Sequence, residues 1–397
     1  MKQNSKTLDS FELSEEAIEI QKSLTDKIIS EIDKQGGTIP FSQFIQMALY
    51  QPKRGYYQNG LHKFGDKGDF VTAPEIGRHF ARCIANSIFQ CINNKETQSI
   101  LEIGAGSGAL AVNLLKSLGK MSLFPAEYLI LEPSAQLQVQ QKFLLSESLP
   151  EYFPQIKWIS KLPDNFNGVI IANEVADAIP CERIKFTNNQ WVRLGVSYQN
   201  SGLQVSDMDV ISAEELPQSL TENRSEKFVE GYTTEYRPLI DGWIKSLANT
   251  LNQGAILLVD YGYPESEFYH PQRTSGSLNC FIRHYQQDDP LQLIGLQDIT
   301  AHVDFSQIAR VADLNGLDID GYTTQAGFLL ENGITEFFES DSNSRQETDE
   351  TRYRTSQEIQ KLLMPGQMGE VFKVILLTKK LSTEIKGFTL QDHLHRL

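Results

Sequence analysis

SILEIGAGSGALAVNLL, residues 99–115, is the stretch whose reading decides the fold. Ser99–Ile103 is a short apolar run, too short for a helix and right for a buried parallel strand. The run carries Glu102, and Gly104, Gly106 and Gly108 follow it. Ala109–Leu115 then has apolar residues at helical spacing. Strand, glycine turn and helix open a nucleotide-binding βαβ unit. Gly104 and Gly106 let the backbone turn sharply and approach a ligand with no Cβ in the way. A helix beginning near Ser107 aims its free N–H groups into that turn. The plain alternative is a glycine-rich turn that binds nothing, and the next stretch argues against it. Glu127–Leu131 reads as a second buried strand, and Glu132 stands at its end, 24 residues after Gly108. An acid about 20 residues past the glycines is where a nucleotide-binding α/β fold places its ribose-hydroxyl ligand.

A dinucleotide fingerprint has the form G-x-G-x-x-G. Here the glycines fall as Gly104-x-Gly106-x-Gly108, with Glu102 two residues ahead of the first. That spacing disfavours an NAD-dependent dehydrogenase. The E-x-G-x-G-x-G form resembles motif I of the class I S-adenosylmethionine (SAM) methyltransferases. The resemblance implies SAM as cofactor, held by Glu102, Gly104, Ala105, Gly106 and Gly108, with Glu132 and Pro133 toward the ribose.

Composition bounds the rest. The chain of 397 residues, 40% of them hydrophobic, is globular and long enough for one large domain with additions, or for two. Net charge −15 argues against a nucleic-acid grip, which needs clustered Lys and Arg. It fits recognition of a basic protein segment. Cys83, Cys91, Cys181 and Cys280 form no C-x-x-C and no metal spacing. They read as buried small apolar residues in a reducing compartment, and no metal is expected. Met1–Glu15 is polar, and no apolar run approaches the ~20 residues that span a bilayer. A soluble, cytoplasmic protein without membrane insertion is the expectation.

Ser14–Gln35 and Phe41–Leu49 read as amphipathic helices, and Arg78–Asn93 as a third. Between them Tyr50–Gly77 is a long loop dense in Gly, aromatics and charge, a pattern common in functional loops. Lys157–Ile159, Gly168–Ala172 and Ala255–Val259 continue the strands, and Gly369–Lys379 supplies a last one. From Arg183 to Val205, alternation and the turns Asn188-Asn189 and Asn200-Ser201-Gly202 predict antiparallel hairpins. Acidic Glu339–Thr351 reads as a mobile loop. The fold class is α/β, a Rossmann-like doubly wound sheet with an N-terminal helical segment and an inserted antiparallel β lobe. The expected division is 1–95 for the N-terminal helices and cofactor-covering loop, 96–265 for the SAM-binding core with its insertion at about 183–235, and 266–397 for the part completing the sheet and the substrate side.

Longer motifs sharpen the resemblance. GYY (Gly55–Tyr57), FGDKGDFVTAPEIG (Phe64–Gly77), LEIGAGSGAL, ANEVADAIP (Ala172–Pro180) and DYGYP (Asp260–Pro264) are similar to the MidA family. So are Ser275–Phe305, Thr323–Ile334 and Leu362–Lys379. That family consists of SAM-dependent methyltransferases and includes a mitochondrial complex I assembly factor that methylates an arginine. The resemblance implies a protein arginine as acceptor, on a subunit of a respiratory quinone oxidoreductase, and a role in complex I assembly. It also implies a flap over the cofactor built from Gly68, Asp69, Phe70, Thr72, Pro74 and Glu75. Read alone, Thr72 is a helix N-cap and Glu75 completes its capping box.

The catalytic candidates are Asn173, Glu174 and Asp177. Asn173-Glu174 closes the fourth strand, where class I methyltransferases put polar residues facing the transferred methyl. An arginine acceptor needs carboxylates that hold the guanidinium. Glu174 and Asp177, three apart, would share one face of a helical turn. In Gln297–Phe305 the spacing of Asp298, His302 and Asp304 fits no standard metal site. His302 is expected on the substrate side, and His284 has the same standing. Two alternatives remain open: a SAM methyltransferase acting on a small molecule, and a SAM-binding assembly chaperone without turnover.

Overall fold

The computed structural model describes residues 13–61, 72–222, 227–283, 285–342 and 348–397. Gly68, Asp69, Phe70 and His284 lie outside the described residues. The central sheet is built from Ser99–Ile103 (β1), Glu127–Leu131 (β2), Ile156–Ile159 (β3), Phe166–Asn173 (β4), Leu251–Tyr263 (β5), Asp318–Thr324 (β6) and Phe372–Lys379 (β7). Their order is β3-β2-β1-β4-β5-β7-β6, and the two-residue strand Val303–Asp304 pairs with β5 to make eight. β1 to β5 run parallel, while β7 is antiparallel to both β5 and β6. The sheet is therefore mixed. β1 lies between β2 and β4, at the reversal of strand order where such sheets open a ligand crevice.

The apolar runs are continuous because both faces of the sheet are covered. In β5, Ala255, Leu257 and Val259 pack with Phe80, Ile84, Leu114 and Leu115 of the helices Arg78–Ile92 and Ala109–Lys120. Ile256 and Leu258 face the other way, against Ile240, Ile244 and Ile308 of Pro238–Thr250 and Phe305–Leu314. Each fully buried Leu or Ile here stabilises by roughly 2 kcal/mol.

Between β4 and β5 stand Glu182–Thr187, Gln190–Gln199, Gly202–Val210 and Thr233–Tyr236, which with Thr38–Pro40 form a five-stranded sheet. Asn188, Asn189, Asn200 and Ser201 all have φ between 50° and 65°. Two left-handed residues in each turn match the twist of a tight hairpin. The N-terminal helices Glu15–Lys34 and Phe41–Tyr50 pack on this sheet and on the strand Asp298–Thr300. Leu24, Ile28, Phe44 and Ile45 share a core with Val196, Cys280 and Ile299. That core carries Tyr50 and Tyr57 to the crevice.

Two expectations change, and one strand is added. The last strand begins at Phe372, after a helical turn at Met368–Val371. Asp318–Thr324, unread in the sequence, is the strand that flanks it. Glu339–Thr351 is not a loop at either end. Helix Ile334–Ser342 runs through its start. Helix Asp349–Leu363 begins inside it, with the Thr348 side chain accepting from Thr351 N and Asp349 and Glu350 in the first turn. The four cysteines are buried free thiols. Among the described residues no helix is long and apolar enough to cross a membrane.

Candidate active site

A cavity of about 610 Å³ opens at the carboxyl ends of β1, β2 and β4. Its floor is the glycine turn. Gly104, Gly106 and Gly108 have φ of +67°, +53° and +90°, a left-handed run that side chains resist. A Cβ on Gly104 would stand 3.0 Å from Val175 Cγ2. The turn is pinned from above, because the Ser107 hydroxyl donates to Glu75 Oε1. Thr72 makes no side-chain cap bond, so the expected capping box does not form. Glu75 is drawn to the turn instead.

Two buried acids face this floor, each held by a different partner. Glu102 accepts the Tyr128 hydroxyl at 2.7 Å. Burial pushes its carboxyl up to about 7, against the pull of that bond and with help from the charge of Glu132. Glu132 accepts Ser134 N at 2.9 Å and Gln141 Nε2 at 3.2 Å. Burial raises it likewise to about 7, with the bonds from Ser134 and Gln141 opposing. Gln141 is fully buried and is the hinge of this end. Its Nε2 also donates to Gly106 O at 2.8 Å, and its Oε1 accepts Trp158 Nε1 at 2.8 Å. A Cβ on Gly108 would meet Gln141 Cγ at 3.4 Å. The third glycine thus makes room for Gln141. Sequence reading missed Gln141, Tyr128 and Trp158, since no spacing ties them to the glycines.

The other end is built around Glu174. Its φ is +53°, a conformation that costs a non-glycine residue about 1–3 kcal/mol and collects at functional sites. The twist lets Glu174 N reach Val259 O at 2.8 Å. Asn173 Nδ2 donates to Glu174 Oε1 at 3.0 Å, and Asn173 Oδ1 is buried without a partner. Burial, then the charge of Asp177, pushes Glu174 up to about 8. Residues 174–177 form no helical turn. Ala176 N and Asp177 N instead donate to Asp260 Oδ2 at 2.9 and 3.1 Å. The Asp177 carboxylate takes the Tyr261 hydroxyl at 2.6 Å. Burial raises Asp177 above its ordinary range. Arg237 braces the segment, donating to the carbonyls of Ile179 (3.0 Å), Asp177 (2.9 Å), Ala301 and His302.

Tyr50 and Tyr57 close this end with rings 5.5 Å apart. The Tyr50 hydroxyl donates to Ala178 O and that of Tyr57 to Asp298 Oδ1, both at 2.9 Å. Tyr57 belongs to the GYY motif, yet nothing in that motif points to the cavity. The three titratable residues of the 297–305 stretch go separate ways. Asp298 holds Tyr57, Asp304 caps a helix through Ser306 N and Gln307 N, and His302 stands edge-on to Tyr261 and Tyr263.

Of the sequence candidates, Thr72, Pro74, Glu75, Glu102, Gly104, Ala105, Gly106, Glu132, Pro133, Asn173 and Glu174 line one cavity. Gly108 and Asp177 stand outside the lining. The cavity is within the ~300–1,000 Å³ of small-molecule sites. Its lining suits SAM: acids for ribose hydroxyls and an ammonium, an orphaned Asn173 Oδ1, and a floor of left-handed glycines that leave the backbone bare.

Comparison with known proteins agrees. Residues 81–323 match the family described as "Putative S-adenosyl-L-methionine-dependent methyltransferase". The chain is 26% identical over 392 residues to "Protein arginine methyltransferase NDUFAF7 homolog, mitochondrial" of Drosophila melanogaster, covering 90% of this chain and 84% of that one. The Homo sapiens protein of corresponding name is 26% identical over 382 residues, 87% of this chain and 81% of that one. A crystal structure from Burkholderia thailandensis, described as a "likely methyl transferase" bound to S-adenosylhomocysteine (SAH), superposes with a TM-score of 0.91. It is 34% identical and covers 98% of this chain and 100% of that one. The MidA-like resemblance read from the motifs therefore holds, and the chain belongs to this family of SAM-dependent methyltransferases.

Proposed function

We propose that the protein methylates the guanidinium of an arginine side chain in a protein. One observation carries this reading: the neutral polar side chains beside Glu174 direct their hydrogens elsewhere or to Glu174 itself. Tyr50 and Tyr57 donate elsewhere, Asn173 donates to Glu174, and Asn173 Oδ1 accepts nothing. Such a lining asks for a cationic, donor-rich ligand, and a guanidinium carries five N–H donors on a planar fork. The names of the relatives, protein arginine methyltransferases, support the same reading.

When bound, SAM supplies an electrophilic methyl group. Glu132 and Pro133 receive the ribose, Glu102 the ammonium, and Gly104, Ala105 and Gly106 the backbone approach. Gly108 supports that turn. Thr72, Pro74 and Glu75 cover them. Glu174 ionises against the incoming cation, orients one nitrogen in line, and takes the proton that this nitrogen sheds on methylation. Burial and the charge of Asp177, which raise Glu174, strengthen it as a proton acceptor once the cation has ionised it. Asn173 fixes Glu174, and Asp177 acts as a positioning residue through Tyr261.

The division of labour among 1–95, 96–265 and 266–397, a respiratory quinone oxidoreductase subunit as acceptor, a part in complex I assembly and a cytoplasmic location belong to the same proposal. The test is transfer from radiolabelled SAM to arginine peptides of respiratory subunits and to their Arg→Lys counterparts, with mass spectrometry of the product. Methyl-arginine in the first set alone is the expected result. A protein that binds SAM and labels only small molecules, or nothing, overturns the reading.

A further inference from the structure

Most buried or half-buried cations of this acidic chain have an assigned partner. Arg183 pairs with Glu235, Arg193 with Asp209 and Glu215, Arg310 with Glu265, and Arg237 with four carbonyls. Two cations beside β5 have no carboxylate partner among the described residues. Lys373, opposite Asp260 in the β5–β7 ladder, is only 5% exposed, and its ammonium donates to the Glu370 carbonyl. Arg273 is half-buried, with its Nε sealed from solvent and unpartnered. Neither has an ion pair among those formed by the described residues. Glu267, whose charge reaches Lys373, is bound to Arg396.

Both cations lie over the ring of Tyr263, Arg273 Cζ at 4.4 Å and Lys373 Nζ at 5.5 Å. His302 stands edge-on to that ring, 5.1 Å away, and its Nδ1 is buried without a partner. Burial and then the fields of Arg273, Arg237 and Lys373 push the imidazole down to about 3, so it is neutral and its surroundings are net positive. Buried lysines are rare unless paired with an opposite charge, and the Lys373 ammonium has only a carbonyl and a ring. Arg273 Nε and His302 Nδ1, buried without partners, call for an explanation.

We propose that Arg273, Lys373 and His302, gathered around Tyr263, form a binding site for an oxyanion, a carboxylate or a phosphate group, at the carboxyl edge of the sheet. The site goes beyond the arginine reading and does not rest on it. Its two cations can only donate, and charge-assisted bonds from guanidinium and ammonium to an oxyanion are the strong kind. It also lies close to the acid-rich end of the cavity. The Tyr261 ring, whose hydroxyl binds Asp177, is 5.3 Å from the His302 ring. A cation-rich cluster and the acid-rich end of the cavity stand one ring apart.

The test is thermal melting of the full-length, SAH-loaded protein in rising inorganic phosphate and, separately, rising N-acetylglutamate amide, with ionic strength held by chloride. A ligand that binds the native state raises Tm saturably. Phosphate also stabilises proteins by exclusion from their surface, so the variants separate binding from that general effect. Arg273→Gln and Lys373→Met are expected to weaken the saturable response about tenfold or more, as loss of one charge-assisted bond does. Without anion, Lys373→Met is expected to melt no lower than the wild type, because it removes an unpaired buried charge. A response to phosphate alone assigns the site to phosphate groups, and a response to the glutamate probe alone assigns it to acidic side chains. Variants that respond as the wild type does overturn the proposal. So does a Lys373→Met protein that melts well below the wild type without anion, since that makes the ammonium part of the fold.

Discussion

The two ends of the cavity are built on opposite plans. At the cofactor end the acids are satisfied by donors of their own: Tyr128 on Glu102, Ser134 and Gln141 on Glu132. These partners all come from residues 102–141, one stretch of chain. At the acceptor end the oxygens wait for donors, and they come from segments far apart, Tyr50 and Tyr57 from the N-terminal part, Asn173 and Glu174 from the end of β4. The first end is a preformed cradle that backbone turns dictate. The second is a charge-selective mouth whose character exists only when distant segments meet.

The largest expected effect breaks the cradle. Gly104→Val puts a branched side chain at φ +67° and against Val175. SAH binding should vanish in calorimetry, and the fold should lose about 1–3 kcal/mol from backbone strain. A variant that binds SAH as tightly as the wild type would refute the close-approach account of the turn.

Glu174→Gln addresses the mouth. Methyl transfer should fall by about 10²–10⁴-fold, the usual share of a general base, with SAH affinity unchanged. Loss of SAH binding with turnover in proportion would move Glu174 to the cofactor end and erase the contrast.

Gln141→Leu is smaller. It removes the bonds to Glu132 and Gly106, and loss of one bond to a charged group weakens SAH binding about tenfold. The pH at which affinity declines should also rise, because Gln141 favours ionised Glu132. A purely structural role would lower Tm and leave that pH where it was.

The smallest effect is the pH response of the wild type. Glu102 and Glu132 are held near 7, above their ordinary 4.5. Between those values the empty fold keeps protons that the unfolded chain releases. Stability of the ligand-free protein from these groups therefore falls as pH rises from about 4.5 to 7. A cationic ligand needs the ionised carboxyls, so SAM affinity should rise over the upper part of the same window. Melting and calorimetry across that range should show the two trends with opposite sign. Parallel trends would mean that the acids do not meet the cofactor's charge.

Legibility in the sequence follows the same division. Ser99–Ile103, Glu127–Leu131 and the hairpin turns at Asn188 and Asn200 stand where their local chemistry puts them. Short apolar runs and left-handed turn residues specify strands and hairpins without help from the rest of the chain. The capping box at Thr72 and the helical turn at Glu174 are equally local expectations, and tertiary partners displace both. Ser107 claims Glu75, and the Asp260 carboxylate claims the N–H groups of Ala176 and Asp177. By itself, then, the sequence determined the strand, the glycine turn and the two acids that line the cavity beside it. All of these lie in one contiguous stretch governed by backbone geometry. Only the tertiary structure decided the acceptor end and the donor cluster around Tyr263. The Tyr57–Asp298 bond joins residues 241 apart, and no period or spacing in a sequence encodes a contact of that range.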